Sequence, residues 1–172
     1  LIMNIEKVFV VGAGFMGSGI VENAAAKGLK VTVYDIAQSQ LDKSIASITK
    51  NLDKLVAKGK ISDDDKKATL DRITTSTDIS DCHEADAIIE AVAENKDIKV
   101  SIMKELDKYA KEDAVIASNT SSISITSLGS VFKDPSRFVG MHFFSPVPKM
   151  PLMEIVRGYQ TGDSALERAR KL

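Results

Sequence analysis

"KVFVVGAGFMG", residues 7–17, decides the fold of this chain. Val8, Phe9, Val10 and Val11 make an unbroken apolar run, the pattern of a strand covered on both faces. The run ends on Gly12, Gly14 and Gly17, and "MGSGIVENAAAKG" (16–28) continues as a helix of mostly small residues. Gly28 closes that helix, because glycine tolerates the left-handed conformation in which helices commonly stop. A buried strand, a glycine turn and a helix in this order form the opening unit of a parallel α/β sheet.

The same alternation continues along the chain. "KVTVYD" (30–35) is the next strand, and a long helix follows from about 40 to 58 with Leu41, Ile45, Ile48, Leu52 and Leu55 on one face. Ser39 with Asp42 reads as its N-terminal cap. Another helix opens at Ser62, with Asp63, Asp64 and Asp65 in its first turn. Consecutive residues fan around a helix, so this acidic run reads as a cap favoured by the helix dipole and not as a metal site. "ADAIIEAV" (85–92) and "AVIASN" (114–119) are strands around the helix "NKDIKVSIMKELDKYA" (95–110). Two more strands, "RFVGMHFF" (137–144) and "LMEIVRG" (152–158), complete the pattern. The fold class is α/β: a Rossmann-type doubly wound, mainly parallel sheet with two additional C-terminal strands.

Bulk composition narrows the function. The 172 residues are 44% hydrophobic, enough for one domain with a sizeable core. Lys and Arg number 23 against 24 Asp and Glu, with no basic stripe or polybasic segment, so neither nucleic acid nor a membrane surface is an expected partner. Cys82 is the single cysteine, which excludes an intramolecular disulfide, fits a reducing compartment and reads as an inert thiol. No apolar run reaches the ~18 residues of a spanning helix. The expected location is cytoplasmic.

The three glycines have separate tasks. Gly12 permits the tight turn, Gly14 lets backbone approach a pyrophosphate, and Gly17 lets the helix pack close on the strand. Phe15 and Met16, inside the same turn, are counted with them as cofactor-binding. The helix start then offers unpaired N–H groups to phosphates. Asp35, closing the next strand, is placed to accept hydrogen bonds from adenosine ribose hydroxyls and to repel a 2′-phosphate. No arginine follows it in "DIAQSQ", so the expected cofactor is NAD, not NADP.

Hydride transfer from an alcohol needs a group to take the hydroxyl proton, and His142 in "MHFFSPVPKMPLMEI" (141–155) suits that task. The Pro-containing loop after it is too short for a parallel crossover, so the last two strands are expected to run antiparallel. Pairing about a loop centred near Pro148 sets His142 opposite Glu154, whose carboxylate would orient the imidazole. A slip of one residue would move Glu154 to the other face. "SNTSS" (118–122) lies at a strand's carboxyl end, where Ser121 is a candidate donor to the substrate oxygen and Ser122 equally an ordinary helix cap. His83 reads as a surface helix residue.

"VGAGFMGSGI" (11–20), "IIEAVAEN" (88–95), "SNTSSISIT" (118–126) and "GMHFFSPVPKMPLMEIVRG" (140–158) together resemble the L-3-hydroxyacyl-CoA dehydrogenase family, short-chain bacterial 3-hydroxybutyryl-CoA dehydrogenases in particular. The resemblance implies reversible NAD-linked oxidation of a (3S)-3-hydroxyacyl-CoA to the 3-ketoacyl-CoA. It further implies His142 as general base with Glu154 as its partner, and Ser121 in contact with substrate and nicotinamide ribose. Glu94 and Lys99 match positions that touch the cofactor, and Lys58 matches one that reaches coenzyme A, although by residue type alone Lys58 is a solvated helix lysine. Two positions depart from the family. Ser145, still expected near the nicotinamide, stands where asparagine is common, and Asn51 stands where some relatives place a serine against coenzyme A.

The family also carries a C-terminal helical domain that closes over the substrate, supplies an asparagine and forms a homodimer interface. On that basis residues 1–160 are expected to be the NAD-binding domain and 161–172, "TGDSALERARKL", the start of a helix leading into the further domain. A chain without that domain is expected to bind NAD and turn over poorly. A related sugar-acid dehydrogenase, a non-catalytic nucleotide-binding module and a segment of a multifunctional fatty-acid oxidation enzyme are the competing readings.

Overall fold

The computed structural model describes residues 5–120, 123–143, 153–156, 162, 163 and 165. Its first unit is β1 (Lys7–Val11), α1 (Phe15–Ala26) and β2 (Lys30–Tyr34), followed by α2 (Gln38–Ala57), α3 (Asp63–Asp71) and β3 (Ile73–Ser76). The second half contains β4 (Ala87–Glu90), α4 (Lys96–Tyr109), β5 (Val115–Ser118), α5 (Ile125–Gly129), β6 (Phe138–Phe143) and β7 (Met153–Val156). The strands form one sheet in the order β3-β2-β1-β4-β5-β6-β7. Every neighbouring pair from β3 to β6 is parallel, and β7 pairs antiparallel with β6. The order reverses between β1 and β4, so the connections leave the sheet in opposite directions there and open a crevice at the strands' carboxyl ends.

Strand side chains alternate between two cores. Val8, Val10, Val31, Val33 and Ile89 face Ile20 of α1 and Leu41, Ile48 and Leu52 of α2. Phe9, Val11, Ile88 and Ile116 face Met103 and Leu106 of α4 and Leu128 of α5. Full burial of one such side chain stabilises by roughly 1.5–3 kcal/mol, so these two layers hold the sheet between its helices. Gly28 has φ +99, as its closing role requires, and Ser62 caps α3 in a reciprocal capping box with Asp65. The acidic first turn of α3 is therefore a helix start.

The structure departs from the sequence reading at the start of α2 and at β3. The first turn of α2 begins at Gln38 with Ala37 as its N-cap, so Ser39 and Asp42 lie inside the helix. Asp35 Oδ1 accepts from Ala37 N at 3.0 Å, and this i to i+2 bond turns the chain into the helix early. The short edge strand β3 was not anticipated: its four residues, "ITTS", are mostly half-buried or exposed and show no apolar run. The cap of α5 is Ser124, whose hydroxyl accepts from Ser127 N at 3.2 Å; Ser122 lies outside the described residues. His83 is exposed in a 3-10 helix over Ile79–Glu84, a surface helix residue as expected. Cys82 beside it is buried, and desolvation pushes its thiol up to about 11, so it is unreactive.

Candidate active site

The glycine turn builds the first wall. Gly12 has φ +109 and donates its N–H to the Tyr34 carbonyl at 2.8 Å, and a Cβ there would sit 2.8 Å from the Ala91 carbonyl oxygen. At Gly17 a Cβ would lie 1.8 Å from the Gly12 carbonyl oxygen. Gly17 thus lets the helix approach the turn's own backbone; the nearest strand atom, on Val10, is 3.8 Å away. Gly14 differs from both, with no heavy atom of the described residues within 4 Å of its missing Cβ. It is the N-cap of α1, which has no side-chain cap and no acidic residue in its first turn. The positive end of this helix is therefore uncompensated beside open space.

Asp35 completes the turn. Its Oδ2 accepts from Ala13 N at 3.1 Å and its Oδ1 from Ala37 N at 3.0 Å, leaving further lone pairs on each oxygen. Glycine backbone without side chains, an open helix start and a carboxylate one strand away fit the pyrophosphate and adenosine ribose of a dinucleotide. Phe15 is 73% exposed, whereas Met16 is half-buried against the core beneath the turn.

The second wall is formed by the ends of β4 and β5. Glu94 accepts from Thr120 Oγ1 at 2.7 Å, which ties the loop after β4 to the loop after β5. Lys99, placed on the cofactor by resemblance, has no exposed surface. Its ammonium donates to Glu90 Oε2 at 2.6 Å, to the Asn119 carbonyl at 3.2 Å and to the Val92 carbonyl at 3.4 Å, and lies 3.7 Å from Glu94 Oε1. Glu90 is also fully buried, and its carboxylate accepts from Val92 N at 2.8 Å and from Ser118 Oγ at 2.5 Å. The sequence reading missed Glu90, Ser118 and Thr120. One signal was available: Lys99 falls in phase with Met103 and Leu106 on the buried face of α4, a position where a lysine requires an anionic partner.

A groove of ≈ 560 Å³ runs between α1 and α2 from Gly14 and Phe15 to Asn51, Lys54 and Lys58. It brings the two expected substrate contacts, Asn51 and Lys58, into one channel with the glycine turn. Glu22, 4% exposed, lines the same channel and accepts from Asn51 Nδ2 at 3.1 Å. Burial raises the Glu22 carboxyl above its ordinary range, against the opposing pull of the Asn51 bond. A smaller cavity of ≈ 260 Å³, bounded by Lys7, Lys30 and Arg72, lies toward the strands' amino ends and shares no residue with this site.

On the far side of β5, the register of β6 and β7 sets His142 opposite Glu154. The antiparallel pairing and the unslipped register are those expected from the loop. Ser121 and Ser145 lie outside the described residues, as does most of 161–172.

The profile of the "3-hydroxyacyl-CoA dehydrogenase, NAD binding domain" family matches residues 7–172. The chain belongs to this family. Its cofactor is accordingly NAD, as the glycine turn and Asp35 indicate. A probable 3-hydroxybutyryl-CoA dehydrogenase of Deinococcus radiodurans is 44% identical over 96% of this chain and 61% of its own length. The fatty acid oxidation complex subunit alpha of Psychrobacter cryohalolentis is 44% identical over 95% of this chain and 23% of its own. The crystal structure of (S)-3-hydroxybutyryl-CoA dehydrogenase from Ralstonia eutropha superposes with a TM-score of 0.93 at 45% identity, over 98% of this chain and 60% of that one. The chain thus spans from about a quarter to under two thirds of the length of these relatives. Among the described residues, no helix is long and apolar enough to cross a membrane.

Proposed function

We propose that this protein takes part in the reversible NAD-dependent interconversion of a (3S)-3-hydroxyacyl-CoA, with 3-hydroxybutyryl-CoA the preferred substrate, and the 3-ketoacyl-CoA. The observation that carries the reading is the register that sets His142 opposite Glu154, at the edge of a sheet whose crevice is built for NAD. Directly paired residues in an antiparallel ladder share a face with Cβ atoms roughly 5 Å apart, within reach for a carboxylate to orient an imidazole. His142 then removes the proton of the 3-hydroxyl group, and Glu154 holds the tautomer and favours the imidazolium that forms. NAD, when bound, supplies the hydride acceptor. Ser121 donates to the substrate oxygen, and Glu94 and Ser145 border the nicotinamide.

The groove supports a coenzyme A ester as the substrate. Lys58, Lys54 and Lys43 line it with positive charge, and Asn51 offers amide hydrogen-bonding groups partway along. A long polyanionic carrier that reaches past the glycine turn matches this distribution better than a compact sugar acid. The names of the relatives from Deinococcus radiodurans and Ralstonia eutropha support the same class.

The test is NADH oxidation by acetoacetyl-CoA in the complete protein. His142→Asn and Glu154→Gln should each lower kcat by roughly 10²–10⁴ while leaving the NADH Kd unchanged. Lys58→Ala should raise KM for the CoA ester and spare kcat. An undiminished kcat in His142→Asn would refute the assignment of the base.

A further inference from the structure

Glu22 of α1 is buried beside the channel between α1 and α2, and helix packing does not account for it. Ile20 and Val21 of α1 already share one apolar core with Leu41, Ile48 and Leu52 of α2. A polar link between the two helices is also in place one turn before Glu22, where the Ser18 and Ser44 hydroxyls lie 2.6 Å apart in a buried hydrogen bond. Burying a carboxylate costs stability unless partners compensate it, and burial does raise the Glu22 carboxyl above its ordinary range. Among the described residues, the one hydrogen-bond donor to its side chain is Asn51 Nδ2, at 3.1 Å.

That bond fixes the sense of an amide. An ionised carboxylate only accepts hydrogen bonds, so Asn51 must turn its NH2 group toward Glu22. The Asn51 carbonyl oxygen then points away from the buried carboxylate and has no protein partner among the described residues. Asn51 is exposed and lines the channel with Lys54 and Lys58, whose ammonium groups offer donors and no acceptor. Lysines suit the phosphates of a coenzyme A ester, which only accept. The same carrier also has N–H donors, on the two amides of its pantetheine arm and on its adenine amino group. A carbonyl oxygen held in one direction on a lysine-lined wall complements such a donor, whereas an amide free to flip would present donor and acceptor by turns.

We propose that Glu22 is a positioning residue that locks the Asn51 amide with its carbonyl oxygen toward the channel, so that this wall reads an N–H donor of the coenzyme A moiety. Glu22 acts through Asn51, and the inference rests on the coenzyme A reading of the channel.

The test is steady-state NADH oxidation by acetoacetyl-CoA in variants of the complete protein, with thermal midpoints measured alongside. Glu22→Met removes the acceptor at similar side-chain volume. It should raise KM for acetoacetyl-CoA about threefold to tenfold, as for the loss of one hydrogen bond, while kcat and the NADH Kd stay unchanged. Glu22→Gln, which can meet the Asn51 amide in either sense, should fall between the two and serves also if Glu22→Met does not fold. Asn51→Ala should raise KM by a similar factor. Adding Glu22→Met to it should then change KM no further, because nothing is left to position; a merely structural role would give additive effects. The same rise with acetoacetyl-pantetheine as substrate would place the donor on the pantetheine amides, and a rise confined to acetoacetyl-CoA would place it on the adenine. Unchanged KM in the Glu22 variants beside a raised KM in Asn51→Ala, or additive effects in the double variant, would overturn the proposal. Unchanged KM in both Asn51→Ala and Lys58→Ala would instead overturn the coenzyme A reading of the channel, and the positioning role with it.

Discussion

Gly14→Ala separates cofactor binding from folding. Gly14 has φ −75 and ψ −165, an extended conformation that alanine adopts freely, and its Cβ would meet no atom of the described residues within 4 Å. Two small terms oppose each other. Alanine is a poorer N-cap than glycine, while the stiffer unfolded chain returns about 0.4–1 kcal/mol. The thermal midpoint should therefore stay within about 2 °C of the unaltered protein. The methyl group, however, occupies the space into which a pyrophosphate must come to reach the N–H groups at the start of α1. Loss of one charge-assisted hydrogen bond costs about 1.5–3 kcal/mol, or roughly 10- to 150-fold in Kd. Fluorescence titration with NADH reads this directly, and calorimetry of the same sample reads the fold. Gly17→Ala is the contrasting control: its Cβ would lie 1.8 Å from the Gly12 carbonyl oxygen, where backbone must move by more than 1 Å. That variant should lose ~1–3 kcal/mol or more, a fall in midpoint of about 2 °C at the least and up to about 12 °C or beyond. Full NADH affinity in Gly14→Ala, with the midpoint preserved, would refute the placement of the pyrophosphate on this helix.

Two further outcomes follow from the site's carboxylates. Burial raises the folded-state pKa of Glu22, so ionisation destabilises the fold as pH climbs from the unfolded carboxyl range through the folded value. Glu22→Gln should raise the neutral-pH thermal midpoint, and the gain should vanish near pH ~4; a gain that persists there would contradict the sign. Asp35→Asn removes the charge facing the adenosine ribose and should weaken NADH about tenfold while narrowing its preference over NADPH, as measured by paired titrations. An unaltered NADH-to-NADPH ratio would show that Asp35 does not discriminate.

Several features were legible because they obey rules of short range. Gly28 ends a helix, Ser62 and Asp65 cap one, and the glycine turn sits between an apolar strand and a helix. Even the pairing of His142 with Glu154 was readable, since a short loop leaves an antiparallel return with few alternatives. Local rules failed where a residue answered to something distant. Asp35 draws the start of α2 forward to Gln38, and β3 exists because β2 offers its edge, not because "ITTS" has a strand's pattern.

The sequence alone determined the alternation of strands and helices, the NAD-type turn and its acidic partner, because each is encoded within a few residues by conformation and charge. Only the tertiary structure decided which strands became neighbours. That ordering brings Glu90 to Ser118 across 28 positions and Asn51 to Glu22 across 29. It also carries Lys99 out of solvent and onto the buried carboxylate of Glu90. The reason is physical: a hydrogen bond between side chains so far apart in the chain exists only after the sheet has paid the entropy of bringing them together.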